Sequence, residues 1–260
     1  MKGSLRREIE TLFAAGGDPK RGSVITVGDI AMLPAPVQRY MRFSNVIGKR
    51  RISCVRLKQK GFIRMNPAGN WIPLEAEEYY TVDPPAFIWC GRAKMMPLVS
   101  FEAVDRYVDN SGRMQVKLLS FVKMVDAAGP ELDQGAMMRF LNEMIWFPTA
   151  YLSEMVEWDS IDDDRAQATF TFGGKEVSAE FHFDELGRVT NFVADRYRSV
   201  GKDFVLEKWS TPLYTYAGFN GFNLPATGEA VWHLDSGEFS YIKLEITGIE
   251  YDYPSGYWQG

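Results

Sequence analysis

The hydrophobic positions near the N-terminus follow a helical period. Apolar residues recur three and four positions apart over 4–15, which predicts an amphipathic helix there. Gly16 and Gly17 end this helix and open a polar connector that runs to residue 28. A second short helix is predicted over 34–43, where Pro36 stands near the start.

From about residue 51 the period changes to two, which is typical of β-strands. Turn-forming residues separate the apolar runs, and the connections are short, which favours antiparallel neighbours. The predicted strands are 52–65, 70–81, 86–95, 99–109, 113–125, 166–172, 176–184, 188–198, 204–209, 222–234 and 239–251. Alternation predicts inward-facing rows at Phe181/Phe183, Ala230/Trp232/Leu234 and Ile242/Leu244/Ile246.

A helical insert divides the strands into two groups. Residues 131–147 carry a stripe of methionine, leucine and isoleucine, and Pro148 then opens a short segment over 149–153. We therefore predict a mainly β (α+β) fold, a large antiparallel sheet with helices at the N-terminus and a helical insert at about 131–153.

The domain organisation is simple. Residues 1–28 form a helix and connector, 29–254 form a single β-rich domain, and 255–260 are expected to be a loose tail in which Tyr257 and Trp258 have no assigned partner.

Several long strings resemble an uncharacterised bacterial family defined by a domain of unknown function, over residues of about 30–254. They are LPAPVQRY (33–40), YYTVDPPAF (79–87), EMIWFPTA (143–150), EAVWHL (229–234) and LEITGIEY (244–251). Members often carry an N-terminal membrane segment, from which this chain departs. The resemblance implies no activity and no catalytic residues.

The order of strands, helical insert, the string FNGFNLP (219–225) and a closing Ile-x-Ile strand resembles lipoprotein carriers of the LolA type. That resemblance implies a strongly curved half-barrel in which the insert closes the concave face over an apolar cavity. It is an analogy of fold and sets only an expectation of function.

Composition excludes several classes of protein. The net charge is −5 and there is no basic stripe, so we expect no nucleic-acid partner. The chain has no apolar run long enough to cross a bilayer and no secretory signal, so we expect no integral membrane span and a cytoplasmic location, although a removed signal or anchor would look the same. Protein partners stay unknown.

The sequence also lacks common cofactor motifs. There is no glycine-rich phosphate loop and no Gly-x-Ser-x-Gly elbow, so we expect no cofactor. His182 and His233 lie in predicted strands, opposite the inward rows, and Asp162–Asp164 is typical of a solvated turn, so no metal site is predicted. Cys54 and Cys90 are expected to be reduced.

Glu143 is the acid with the clearest chemical potential. Its helix is apolar on most sides, which favours burial, and desolvation raises the pKa of a buried carboxyl. Glu143 is thus a candidate general acid or base. The alternative is a surface ion pair with Arg139, which stands four residues earlier.

The aromatic fraction of 14%, with twelve methionines, is compatible with an apolar cavity as well as with a plain core. The predicted ligand-binding residues are Tyr80, Trp89, Met137, Met138, Trp146, Arg196, Glu207, Trp209 and Trp232. Alternation suggests that Arg196 and Glu207 pair across adjacent strands.

Two functions follow. The first is the binding of a hydrophobic small molecule, such as a lipid, an acyl chain or a polyketide-like compound, between the sheet and the helices. The alternative is a cofactor-independent isomerase, cyclase or hydrolase that acts on a hydrophobic substrate, with Glu143 as acid or base and Tyr80 or Arg196 orienting the substrate. The sequence leaves open whether the protein is an enzyme.

Overall fold

The computed structural model describes residues 2–17, 23–96, 99–119, 122–201 and 203–259. Its α-helices are α1 (Lys2–Ala15), α2 (Val27–Ile30), α3 (Ala35–Phe43) and α4 (Pro130–Glu143). Short 3-10 helices span Met144–Trp146, Pro148–Leu152 and Tyr257–Gln259. The predicted N-terminal helix and the helical insert are therefore present, while residues 18–22 of the predicted connector lie outside the described residues.

The strands form one open, curved antiparallel sheet, as predicted. They are β1 (Cys54–Ile63), β2 (Ile72–Thr81), β3 (Ala86–Met96), β4 (Val99–Val108), β5 (Ser111–Leu118), β6 (Val122–Ala128), β7 (Val156–Ser160), β8 (Arg165–Phe172), β9 (Lys175–Phe183), β10 (Val189–Val200), β11 (Asp203–Ser210), β12 (Leu213–Phe219), β13 (Phe222–Leu234) and β14 (Gly237–Tyr251). Their order in space is β6-β5-β4-β3-β2-β1-β14-β13-β11-β10-β9-β8-β7, and β12 pairs with β13 beside this path.

The two strand groups join in the middle of the sheet. The last strand, β14, inserts between β1 and β13, so the first and last strands of the chain are neighbours. This closing strand ties the β1–β6 group to the β7–β13 group, and its apolar side packs on the main core. Helix α2 and strands β7 and β12 were missing from the sequence prediction because each is short or has a weak alternating pattern. The single strand predicted over 113–125 is wrong, because this part of the chain forms two antiparallel strands, β5 and β6.

Helix α4 lies across the inner face of the sheet, which we define as the face that α4 covers. It packs against β4, β5 and β6 on one side and against β9 and β10 on the other. The α4 side chains of Met137, Met138 and Leu141 are buried in the core that the helix shares with the sheet. Phe181 and Trp232, from the predicted inward rows, are buried in the same core. The insert thus fills much of the space between the two halves of the sheet.

The first turn of α4 is fixed to both halves. Asp133 accepts hydrogen bonds from the Gly112 backbone N–H at 2.7 Å and from Lys175 Nζ at 2.6 Å. Gly112 has to be glycine, because a Cβ atom there would overlap the Leu132 carbonyl. The Lys175 ammonium also donates to the Asn110 carbonyl at 2.7 Å, so the turn before β5 contacts the start of β9.

The outer face carries a second, smaller core beneath α1. Ile9, Leu12 and Phe13 of α1 are buried there together with Tyr79 of β2. Alternation explains the separation, since Tyr79 and Tyr80 are consecutive residues of β2 and belong to the outer and inner cores respectively.

The C-terminal residues are not free of contacts. The rings of Tyr257 and Trp258 pack on Tyr79 with centroid distances of 6.1 and 6.0 Å, and the Arg6 guanidinium lies over Trp258. This packing corrects the expectation that Tyr257 and Trp258 lack partners, because the outer core gives both rings an apolar surface to cover. The division of the chain into domains stays a prediction.

Candidate functional site

A buried cluster of charged side chains lies where the last turn of α4 meets β2 and β4. We call it the Arg139 cluster, and it consists of Glu78, Asp105, Arg139 and Glu143. The guanidinium of Arg139 donates from Nε to Glu143 at 2.6 Å, from Nη1 to Asp105 at 2.9 Å and from Nη2 to Glu78 at 2.7 Å. One arginine thus binds three carboxylates, each through a different nitrogen.

The strand register explains how two acids from the sheet reach one arginine. Trp89 of β3 is opposite Glu78 of β2 on one side and opposite Asp105 of β4 on the other. Residues directly opposite in an antiparallel sheet project from the same face, so both carboxylates point toward α4. The guanidinium lies over the Trp89 ring between them, 5.3 Å from its centroid.

Neighbouring polar groups complete the hydrogen bonding of the cluster. The Tyr80 hydroxyl donates to Glu143 at 3.0 Å, and Gln59 Nε2 donates to Glu78 at 3.4 Å. The Gln59 amide oxygen in turn accepts from the Trp89 indole at 3.0 Å. The described donors and acceptors are therefore paired, as a buried polar network requires.

Burial changes the proton affinity of this cluster. It raises the pKa of Glu78 well above its usual range, even though the charge of Arg139 acts in the opposite direction, and it raises the pKa of Glu143 as well. The negative charge of Glu143 raises the pKa of Glu78 further, so the protonation of one carboxyl depends on the charge of the other.

Glu143 is buried, as the apolar surroundings of its helix predict, and it also forms an ion pair with Arg139. Its role as an acid or base stays a prediction. The pair is buried and does not lie at the surface. Glu78 and Asp105 were missed, although each is a charged residue at an inward position of an alternating strand, which is a usable signal.

The predicted ligand-binding residues fall into separate groups. Tyr80 and Trp89 belong to the surroundings of the Arg139 cluster, and Met137 and Met138 are buried in the core. Trp146 lies elsewhere, where its indole donates to the Pro225 carbonyl at 3.2 Å.

A second group forms around Arg196. Its guanidinium lies over the rings of Trp209 and Trp232, at 4.7 and 5.8 Å from their centroids. The predicted pair between Arg196 and Glu207 is not formed. The two residues are opposite each other in the strands, but Glu207 accepts from Arg198 at 2.9 Å, because the guanidinium of Arg196 is turned over the tryptophan rings.

Between these groups runs a half-buried apolar surface, which we call the inner apolar strip. It packs on the main core and lies mostly on β1, β2, β13 and β14, between the strands that α4 covers. Ile63 is its centre, because it is opposite Ile72 on one side and Ile242 on the other. The residues of the strip are Ile63, Ile72, Ala103, Leu234, Tyr241, Ile242 and Leu244.

Two open pockets lie away from this strip. One, of about 580 Å³, is lined by Arg106, Arg113 and Asp126 among others, and one of about 750 Å³ is lined by Arg51, Asp83 and other residues. Neither lining includes a predicted ligand-binding residue of the described chain. An enclosed apolar cavity therefore stays a prediction.

The structure also bears on metals and membranes. No group of three or more His, Cys, Asp and Glu side chains among the described residues is arranged to hold a metal ion. His182 lies 2.7 Å from Glu180, and His233 lies 2.8 Å from the Ser210 hydroxyl. Of the helices that the structure describes, none has the length and apolar character of a membrane span.

A comparison with known protein families identifies the family to which the chain belongs. Residues 23–244 match the sequence profile of DUF6544, a family of unknown function. The chain belongs to this family. The resemblance to a family without assigned function is thereby confirmed, and no curated protein matches this DUF6544 chain in sequence.

Several solved structures resemble this DUF6544 protein at a distance. A DUF1329 family protein from Desulfovibrio piger is 11% identical, with a TM-score of 0.49 over 84% of this chain and 92% of that one. A putative outer membrane lipoprotein-sorting protein domain from Vibrio parahaemolyticus is 6% identical, with a TM-score of 0.43 over 79% and 88%. A LolA superfamily protein from Nitrosomonas europaea is 9% identical, with a TM-score of 0.39 over 87% and 94%. Likenesses this distant transfer no ligand and no activity.

Proposed function

We propose that this protein binds a hydrophobic small molecule, such as a lipid, an acyl chain or a polyketide-like compound, on the inner face of its sheet. The observation that carries the proposal is the inner apolar strip, whose apolar side chains are only half-buried although they lie inside the curve of the sheet. An apolar surface of this kind is stabilised when a ligand removes it from water.

Exposed apolar residues at the edge of the inner face support the same proposal. Val122 and Val125 of β6 and Val205 of β11 are exposed. Each is opposite an inward residue in the register, so each projects from the same face as the strip. A chain-like ligand that leaves the strip at either side would therefore meet further apolar side chains.

The expected gain is large enough for useful affinity. Burial contributes about 0.8 kcal/mol for each methylene group, so a chain of about ten methylenes gains roughly 8 kcal/mol before the entropic losses of binding.

The first experiment is mass spectrometry of an organic extract of the purified protein, compared with a mock purification. Nile red fluorescence then tests binding directly in the extracted protein. Ile72→Gln places a polar group on the strip and should weaken Nile red binding. Glu75→Gln is the matched control, because Glu75 is exposed on the outer face of the same strand. Several preparations that carry no ligand, together with no binding of Nile red, would refute the proposal.

The Arg139 cluster favours a second candidate function, a cofactor-independent enzyme that acts on a hydrophobic substrate. Burial raises the pKa of both Glu78 and Glu143, and the next inward residue along β2 beyond Glu78 is Ala76, which leads toward the strip at Ile72. In this proposal Glu143 is the acid or base, since a carboxyl with a raised pKa exchanges protons readily near neutral pH.

Solvent deuterium distinguishes the two functions. The extracted ligand is incubated with the protein in heavy water and analysed by mass spectrometry. An enzyme that moves protons introduces deuterium into the ligand with the unchanged protein and not with Glu143→Gln. A carrier returns the ligand without deuterium in both cases, which would exclude proton transfer by Glu143.

A further inference from the structure

Arg196 is a half-buried cation on the inner face of β10, between α4 and the inner apolar strip. Its Nε donates to the Gly135 carbonyl of α4 at 3.1 Å, and Nη1 makes a long contact of 3.5 Å with the Tyr241 hydroxyl. The Trp209 indole also donates to that hydroxyl, at 3.2 Å. The hydroxyl and the backbone carbonyl that Arg196 contacts are both uncharged.

No carboxylate of the described chain forms an ion pair with Arg196, which distinguishes it from the other arginines that point inward. Arg139 binds three carboxylates, and Arg198, two residues further along β10, binds Glu207. Glu207 stands opposite Arg196 in the register and is nevertheless engaged by Arg198. The positive charge of Arg196 is thus compensated by the Gly135 carbonyl, the Tyr241 hydroxyl and the faces of two tryptophan rings, and by no ion pair among the described residues.

Partial burial makes this unbalanced charge significant. Removing a charge from water is unfavourable unless an opposite charge or strong hydrogen bonds replace the water. Stacking on Trp209 and Trp232 holds the guanidinium in place and provides part of that compensation. The remaining N–H groups form a planar fork, which matches the oxygens of a carboxylate or phosphate.

The position of Arg196 relates this charge to the apolar surface. Trp232, beneath the guanidinium, stacks on Tyr241 with a centroid distance of 6.0 Å, and Tyr241 is part of the inner apolar strip. Ile242 and Leu244 continue the strip along β14. A head group at Arg196 would therefore place an attached chain directly on the strip.

We infer that the ligand is a single-chain amphiphile with an anionic head group, bound so that Arg196 holds the head while the chain lies on the inner apolar strip. This inference rests on the proposed function and specifies its ligand class. It assigns Arg196 the role of head-group receptor.

Laurate and dodecanol test the inference, because they share a chain length and differ in the charge of the head group. Their affinities are measured by displacement of Nile red and by calorimetry at low salt. The unchanged protein should bind laurate about tenfold more tightly than dodecanol. Arg196→Met keeps an apolar side chain over the tryptophan rings, so it should remove this preference while the affinity for dodecanol is retained.

Arg92→Met is the control, because Arg92 is exposed on the outer face of β3, and it should keep the full preference for laurate. Equal affinities for laurate and dodecanol in the unchanged protein would overturn the role of Arg196, even if the variant fails to fold. An undiminished preference in folded Arg196→Met would overturn it as well. If neither compound binds, the proposed function fails together with this inference.

Discussion

Replacing Glu78 by glutamine tests the proton distribution in the Arg139 cluster. The side chain of Glu78 is fully buried, and burial raises its pKa well above the usual range. Glutamine has a similar shape to a protonated carboxyl and the same lack of charge. We expect Glu78→Gln to change the free energy of unfolding by less than about 1 kcal/mol below the unfolded pKa of about 4.3, where the carboxyl holds its proton in the folded and the unfolded state alike.

The difference in stability between the variant and the unchanged protein should depend on pH. A carboxyl whose pKa is raised on folding binds its proton more tightly in the folded state than in the unfolded state. Its contribution to stability is complete below the unfolded pKa of about 4.3, and it is lost as the pH rises toward the folded pKa. The loss amounts to about 1.4 kcal/mol per pH unit for one proton. Glutamine does not titrate, so the variant should lack this slope and gain stability relative to the unchanged protein as the pH rises.

Urea unfolding followed by tryptophan fluorescence, at several values between about pH 5 and about pH 8, measures this difference. Titrating groups that do not interact with Glu78 cancel when the two curves are subtracted. Glu75→Gln serves as the control, because Glu75 is exposed on the same strand, and its curve should run parallel to that of the unchanged protein. A Glu78→Gln curve that is also parallel would refute the reasoning, because it would mean that Glu78 is ionised and balanced by Arg139 alone.

Three further outcomes are expected. Arg139→Met leaves buried carboxylates without their cation. It should lower the free energy of unfolding, measured by urea titration, by about 3–5 kcal/mol, whereas a loss below about 1 kcal/mol would show that the cluster is hydrated. The thiols of Cys54 and Cys90 should resist Ellman's reagent until the protein is unfolded, since burial raises the pKa of each to about 12. Fast reaction of the native protein with the reagent would contradict this prediction. Trp258→Ala removes a ring that packs on Tyr79, so it should lower the free energy of unfolding by about 2 kcal/mol and lower the melting temperature. An unchanged melting temperature would show that the C-terminal contact contributes little to stability.

Local patterns accounted for most of the architecture. The change from a helical period to a period of two placed the boundary between the N-terminal helices and the sheet, and the methionine stripe placed α4. Short turns indicated antiparallel pairing, which the register of the strands confirms. The same patterns failed for β7, which has only five residues, and for β12, whose exposed and half-buried positions do not alternate.

The residues of the Arg139 cluster were harder to predict from the sequence than the architecture. The apolar surroundings of Glu143 on its own helix predicted its burial, since that information lies within four residues of the chain. Glu78 is 65 positions away from Glu143 in the sequence. Alternation indicates that Glu78 points inward, but it does not indicate which side chain lies across from it.

The sequence by itself determined the local features of this protein, namely helices α1, α3 and α4, the main strands, the inward rows and the placement of Glu143 on an apolar helix. Periodicity acts over a few residues, and it decides which face of an element is apolar. Only the tertiary structure decided that Arg139 gathers Glu78 and Asp105, that Glu207 binds Arg198 and leaves Arg196 without a carboxylate, and that α1 covers the outer face. These contacts depend on strand register and on where α4 and α1 pack across the sheet, and residues far apart in the chain carry no local pattern that specifies either.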